Sequence, residues 1–194
     1  MRTLVGALVE DMVDAARRLA AHSPSQRLDP PLTVVLDETA NYPLGSLPAL
    51  MSDGGGSGIC TLAVLQSLAQ ARDRWGRDAA GAIWDAAIVK LILGGCANAD
   101  DLADLSRLIG DREVREWSET RTGGAIPSST STSTRRRPIL EPADLRRLPL
   151  GYGLLLLRSA APIMLRVTPW IARRDAAELA AGRAHFENPD RGHA

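Results

Sequence analysis

A single lysine, Lys90, stands among 23 basic residues; every other one is arginine. It lies in Ala87-Ile88-Val89-Lys90-Leu91-Ile92, with no glycine loop before it and no Ser or Thr after it. A G-x-x-x-x-G-K-[ST] phosphate cradle is therefore excluded from this chain. The arginine bias itself is what a GC-rich genome produces. Only two cysteines occur, Cys60 and Cys96, in apolar runs and without CxxC or Cys/His spacing. They are expected to be reduced, buried packing residues of a cytosolic protein rather than a disulfide or zinc framework. The three histidines, His22, His185 and His193, are scattered and give no metal pattern. No apolar run approaches the roughly 20 residues that span a bilayer. Glu10-Asp11 follows too soon after Met1-Arg2-Thr3-Leu4 for a secretory signal. The 23 basic and 23 acidic residues cancel, so bulk charge favours neither nucleic acid nor an acidic tail.

What is present suits one domain: 194 residues, 45% of them apolar. Leu4, Leu8, Met12, Ala15, Ala16 and Leu19 recur at helical spacing and predict an amphipathic helix over 3–21. Pro24 and Pro30-Pro31 bound a loop. A strand is expected over 32–37, a short helix over Leu44–Met51, and a break at Ser52 to Gly58. A second apolar run, Ile59–Leu65, ends in Gln66. Helices follow over Leu68–Trp75 and Ala79–Asp85, then a third strand over Ala87–Leu93. Asp100–Leu108 reads as a helix capped by Asn98 or Asp100, with Gly110 at its exit. Residues 119–134, Ser/Thr-rich from Ser128, are expected to be an exposed, mobile loop. A short helix starts at Glu141-Pro142. Leu154–Arg158 and Ile163–Val167 form a hairpin, and Arg173–Gly182 a last helix before a frayed tail. Alternating strands and helices predict an α/β fold, a mostly parallel, helix-covered sheet with an antiparallel hairpin at its edge. Ligands on such sheets sit at the carboxyl ends of the strands, where Asp37, Glu38 and Gln66 fall.

Thr33-Val34-Val35-Leu36-Asp37-Glu38 is an apolar strand closed by two acids, the look of a Walker B strand. In that pattern the first acid holds Mg²⁺ and the second orients or deprotonates the attacking water. The plain alternative is a pair of acids that caps the next helix or solvates a loop. Gln66 could bond the water or a γ-phosphate, or simply be a polar strand end. Gly54-Gly55-Gly56-Ser57-Gly58 leads into a strand rather than a helix, so it is a turn and not an anion cradle. Arg135-Arg136-Arg137 is a candidate for phosphates of DNA or of a neighbour's nucleotide, against a solvated charge run.

The order of these motifs resembles the conjugative coupling proteins of the TraG/TraD type, the hexameric ATPases of type IV secretion. The resemblance runs through Val34-Val35-Leu36-Asp37-Glu38-Thr39-Ala40-Asn41, Leu47-Pro48, Gly58-Ile59, Ala63 to Gln70, Arg74-Trp75-Gly76, Ile92 to Gly95, Asp100 to Gly110 and Arg137-Pro138 to Leu150. It covers about residues 5–172. It implies part of a RecA-like P-loop NTPase domain that uses ATP and Mg²⁺ to move DNA or protein substrates. Asp37 matches the Mg²⁺ ligand, Glu38 the catalytic acid and Gln66 the glutamine after the next core strand. The region after Gly76 leads into the part of the family that recognises a relaxosome protein. Two departures stand out: the P-loop has no counterpart here, and the turn before Gly58 lacks the arginine the family often has there.

The resemblance thus implies the C-terminal portion of the motor domain over 1–172, with a helix and tail over 173–194. Walker B is present without Walker A, so the chain alone is expected neither to hydrolyse ATP nor to bind ATP and Mg²⁺ tightly. The family setting is a hexamer in the cytoplasm at the inner face of the cell membrane, with relaxosome or secretion proteins and DNA as candidate partners. The rival expectations are a non-catalytic module that docks such partners, and a degenerate remnant.

Overall fold

A computed structural model describes residues 2–120 and 129–187. Helix α1 (Arg2–His22) buries Val13, Ala16 and Ala20, while Leu4, Leu8, Met12 and Leu19 of the periodic row face solvent. Strand β1 (Leu32–Leu36) pairs in parallel with β2 (Ile59–Ala63), from Leu32 opposite Ile59 to Leu36 opposite Ala63. Parallel strands need a crossover, and α2 (Leu47–Asp53) provides it. The inward row of this pair, with Val34, Leu36 and Ile59, packs against Val13, Leu44, Leu47 and Leu50. The outward row is bare: Val35 is 61% exposed, Leu62 56%, and Cys60 beside them is also exposed. Cys60 is therefore not the buried packing residue its apolar neighbours suggest; strand alternation turns it outward. Gly58 makes the turn into β2 at φ +80°, and a Cβ there would lie 2.8 Å from the Leu28 carbonyl oxygen. The glycine stretch, expected as a flexible turn, is a turn whose Gly54 and Gly58 are buried.

Helices α3 (Leu68–Trp75) and α4 (Arg77–Ala86) follow. Ser67 caps α3 by accepting from the Gln70 N–H. Helix α4 links two cores, because Ile83 packs with Leu36, Leu44 and Leu47 whereas Trp84 packs with the cluster described next. That second core joins Leu102, Leu105 and Ile109 of α5 (Ala99–Ile109), Leu145 of α6 (Pro142–Arg146) and Leu154 of β6 (Tyr152–Leu157). Asn98 caps α5, accepting from the N–H groups of Asp100 and Asp101.

Strand β3 (Val89–Leu93) pairs antiparallel with β6, and β6 pairs antiparallel with β7 (Ile163–Arg166). The expected hairpin is present. The mostly parallel sheet is not: the described strands form one parallel pair, one antiparallel three-stranded sheet and one separate ribbon. The reason is pairing choice, since β3 takes its hydrogen bonds from the Leu-rich β6 instead of extending β2. Strands β4 (Asp111–Thr120) and β5 (Ser129–Pro138) form the ribbon. Residues 119–120 and 129–134, expected in a mobile loop, thus belong to strands; 121–128 lie outside the described residues. Helix α7 (Ala176–Glu187) closes the described chain.

Candidate functional site

The site forms where β1 and β2 end. The ladder continues past the strands, with the Val64 N–H donating to the Leu36 carbonyl at 2.9 Å and the Thr39 N–H to the Val64 carbonyl at 3.2 Å. This carries Gln66, three residues beyond β2, alongside Glu38, two beyond β1. The Gln66 amide donates to Glu38 Oε1 at 3.0 Å, and the Asn41 amide donates to Oε2 at 2.7 Å. Glu38 itself sits at φ 49°, ψ 42°, the left-handed region, and starts a 3₁₀ turn over Thr39–Asn41. That turn brings Asn41 back under the carboxylate. Asp37, Glu38 and Gln66 are all exposed, whereas Thr39 beneath them is fully buried. The Tyr42 hydroxyl donates to the Asp37 carbonyl. Burial raises its pKa first, and the negative charges of Asp37 and Glu38 raise it further.

Asn41 and Tyr42 do not stand out in the sequence as site residues. The i, i+3 spacing of Glu38 and Asn41 is a usable signal, but only once a tight turn is assumed after β1. No group of three or more His, Cys, Asp or Glu side chains among the described residues could hold a metal ion. Mg²⁺ is usually held by one or two carboxylates with water and phosphate as its other ligands, and Asp37 is the carboxylate exposed at the end of β1.

The arginine run lies elsewhere, on β5. Arg135 and Arg137 both pair with Glu116 of β4, Arg135 at 3.5 Å. Among the described residues no ion pair joins the run to Asp37 or Glu38. The turn before Gly58 has no arginine of its own, yet two reach it: Arg17 pairs with Asp53 at 3.1 Å and Arg27 donates to the Gly55 carbonyl at 3.0 Å. A cavity of about 510 Å³ between α3, α4 and α5 is lined by Arg72, Trp84, Asp101 and Leu105, and by none of the three site residues. There the buried Asp101 ties α5 to Arg72 of α3 at 2.9 Å.

The fold is a mixed α/β arrangement with a polar cluster at the ends of two parallel strands. Residues 31–150 match the family described as the TraM recognition site of TraD and TraG, and the chain belongs to that family. Among solved structures it is similar to the bacterial conjugative coupling protein TrwB lacking its first 70 residues, in an unbound form. There the TM-score is 0.65 at 22% identity, over 83% of this chain and 37% of the other. TrwB with the non-hydrolysable ATP analogue ADPNP gives a TM-score of 0.62 at 21% identity, over 87% and 38%. TrwB with ADP and Mg²⁺ gives 0.57 at 22% identity, over 86% and 40%. The chain thus spans about two fifths of the length of the structures it matches. Curated proteins gave no match.

Proposed function

We propose that this chain is the Walker B portion of a RecA-like motor domain in a conjugative coupling ATPase. The observation that carries the proposal is the pairing of Glu38 with Gln66 beside an exposed Asp37, at the carboxyl ends of two parallel strands. Asp37 would hold Mg²⁺, which on a nucleotide offsets charge at the transferred phosphoryl group. Glu38 has one amide on each carboxylate oxygen. Its remaining lone pairs can accept from a water, orienting it and taking its proton. Gln66, held by Glu38, is placed to sense that water.

The bare rows support an incomplete sheet. Val35, Leu62, Val89, Leu91 and Leu93 are about half exposed or more, and β2 and β3 each keep an unpaired edge among the described strands. Covering about 400 Å² of such surface would contribute about 10 kcal/mol, which the rest of a motor domain could supply. In that setting the protein works as a hexamer at the cytoplasmic face of the cell membrane. The matched region docks a relaxosome protein of the TraM kind. No helix of the described residues is long and apolar enough to cross a membrane.

A purified chain given ATP and Mg²⁺ should release no phosphate, because its sequence carries no G-x-x-x-x-G-K-[ST] loop to cradle the β- and γ-phosphates. A chimera carrying residues 31–150 in place of the matching TrwB segment should turn over ATP. Glu38→Gln should cut that rate at least about 100-fold. Asp37→Asn should do the same while changing stability by less than about 0.5 kcal/mol. An active chimera indifferent to both substitutions would leave only the docking role. That role is the second reading, and the family's recognition region supports it.

A further inference from the structure

The chain's single lysine, Lys90, meets no carboxylate among the described residues. It stands in β3 directly opposite Leu156, and two residues on Ile92 stands opposite Leu154. Directly opposed residues of an antiparallel pair share a face. Here that face is the inner one, since Leu154 is buried and Ile92 and Leu156 pack against the same core. Lys90 is thus a half-buried cation in an otherwise apolar row. Its ammonium donates to the Ala87 carbonyl at 2.6 Å and lies 5.2 Å from the centre of the Trp84 ring. An ammonium has three N–H donors. One carbonyl and one aromatic face leave donors over and no full negative charge opposite.

A cavity of about 770 Å³ opens beside it, lined among others by Lys90, Arg158, Ser159, Asp85, Ile109 and Leu156. Arg158 directly follows β6, and its N–H donates to the Ile88 carbonyl at 3.3 Å, which sets it next to the start of β3. Arg158 also has no ion-pair partner among the described residues, although Asp85 shares the lining. Two cations against one acid leave a surplus of one positive charge, which a monoanion matches. A phosphate ester or nucleotide would bring more negative charge beside Asp85 and little apolar surface for the walls. A carboxylate on a hydrocarbon body suits both parts of the cavity. Its oxygens can take the Lys90 and Arg158 donors as charge-assisted hydrogen bonds, and its body can cover Ile109 and Leu156, the usual division of labour in a small-molecule pocket.

We propose that this cavity binds a monocarboxylate with an apolar body, held by Lys90 and Arg158. The site goes beyond the nucleotide chemistry above, since Asp37, Glu38 and Gln66 take no part in its lining. A free short-chain acid and the C-terminal carboxylate of a polypeptide both present this group.

The test is saturation-transfer NMR of hexanoate with the full chain. Hexanoate should bind saturably with a Kd of about 1 mM. Hexanol lacks the charge and inorganic phosphate lacks the apolar body, so each should bind at least about tenfold more weakly. Lys90→Gln and Arg158→Gln should each weaken hexanoate at least about tenfold. Arg166→Gln, on β7 and outside the lining, should leave it unchanged. A tripeptide ending in leucine, as free acid and as amide, separates the two sources. Tighter binding of the peptide acid than of hexanoate, lost in the amide, supports the site as one for a polypeptide C-terminus; weaker binding supports a free acid. No saturable binding of either acid overturns the proposal, as does full hexanoate binding by a folded Lys90→Gln variant. If Lys90→Gln does not fold, the exposed Arg158 decides alone, and undiminished binding in Arg158→Gln overturns it.

Discussion

The pair β1–β2 and the sheet β3–β6–β7 are built from the same kind of short apolar strand, yet only the first ends in a polar cluster. Direction explains the difference. Parallel strands finish at the same edge, so whatever follows each of them converges, and Asp37-Glu38 meets Gln66 across 28 positions of sequence. In the antiparallel sheet β3 and β6 finish at opposite edges, so Gly94-Gly95 after one and Arg158 after the other are kept apart. A site made from strand ends needs strands that run the same way; apolar content alone does not provide it.

The sharpest way to test whether these two regions are one folding unit is through their separate cores. Leu47→Ala in the first and Leu154→Ala in the second should each cost about 2–5 kcal/mol, as both side chains are fully enclosed. Because α4 sends Ile83 to one core and Trp84 to the other, either change should lower a single shared transition in a denaturant melt. Two transitions, one for each substitution, would mean that α4 does not couple them.

The uncovered rows should behave differently. Leu62→Thr on β2 and Leu91→Thr on β3 should each shift stability by less than about 0.5 kcal/mol, while lowering self-association seen by light scattering. A loss as large as that of the core substitutions would show that these rows are already packed in solution.

The core and bare rows are only partly separable in the sequence. Element positions are largely legible, since apolar periodicity and the stops at Gly76, Gly94 and Gly110 bound them. Which strand pairs with which is not: Leu91 meets Leu155, 64 positions on, and a short apolar run carries no record of its partner. The ribbon escapes a sequence reading because both of its faces meet solvent. It has no apolar alternation to read, and its Ser/Thr content mimics a loop. At the site, Asp37, Glu38 and Gln66 stand out as strand-end polar residues, and the structure joins the last two by a hydrogen bond. Asn41 and Tyr42 stay hidden because their contacts depend on a left-handed residue at Glu38.

The smallest expected effect is on Tyr42, whose pKa lies above the ordinary 10.0. A raised value means the folded state favours the neutral phenol. Its contribution to stability is present below 10.0 and is lost as pH rises through the folded pKa. Tyrosinate absorbance should show the delayed titration. Asp37→Asn with Glu38→Gln should bring it down only part of the way, since burial is the larger cause. A midpoint that fell fully to 10.0 would reverse that ranking.

The left-handed backbone at Glu38 also has an evolutionary consequence. A non-glycine residue there costs about 1 kcal/mol, so Glu38→Gly would relieve it and remove the carboxylate in one step. Lineages that no longer use the acid are free to drift to glycine or asparagine at this position and grow sturdier for it. Lineages under selection for the acid must keep the tension. If Glu38 has the role proposed above, the residue found at position 38 across relatives would mark whether that acid is still used.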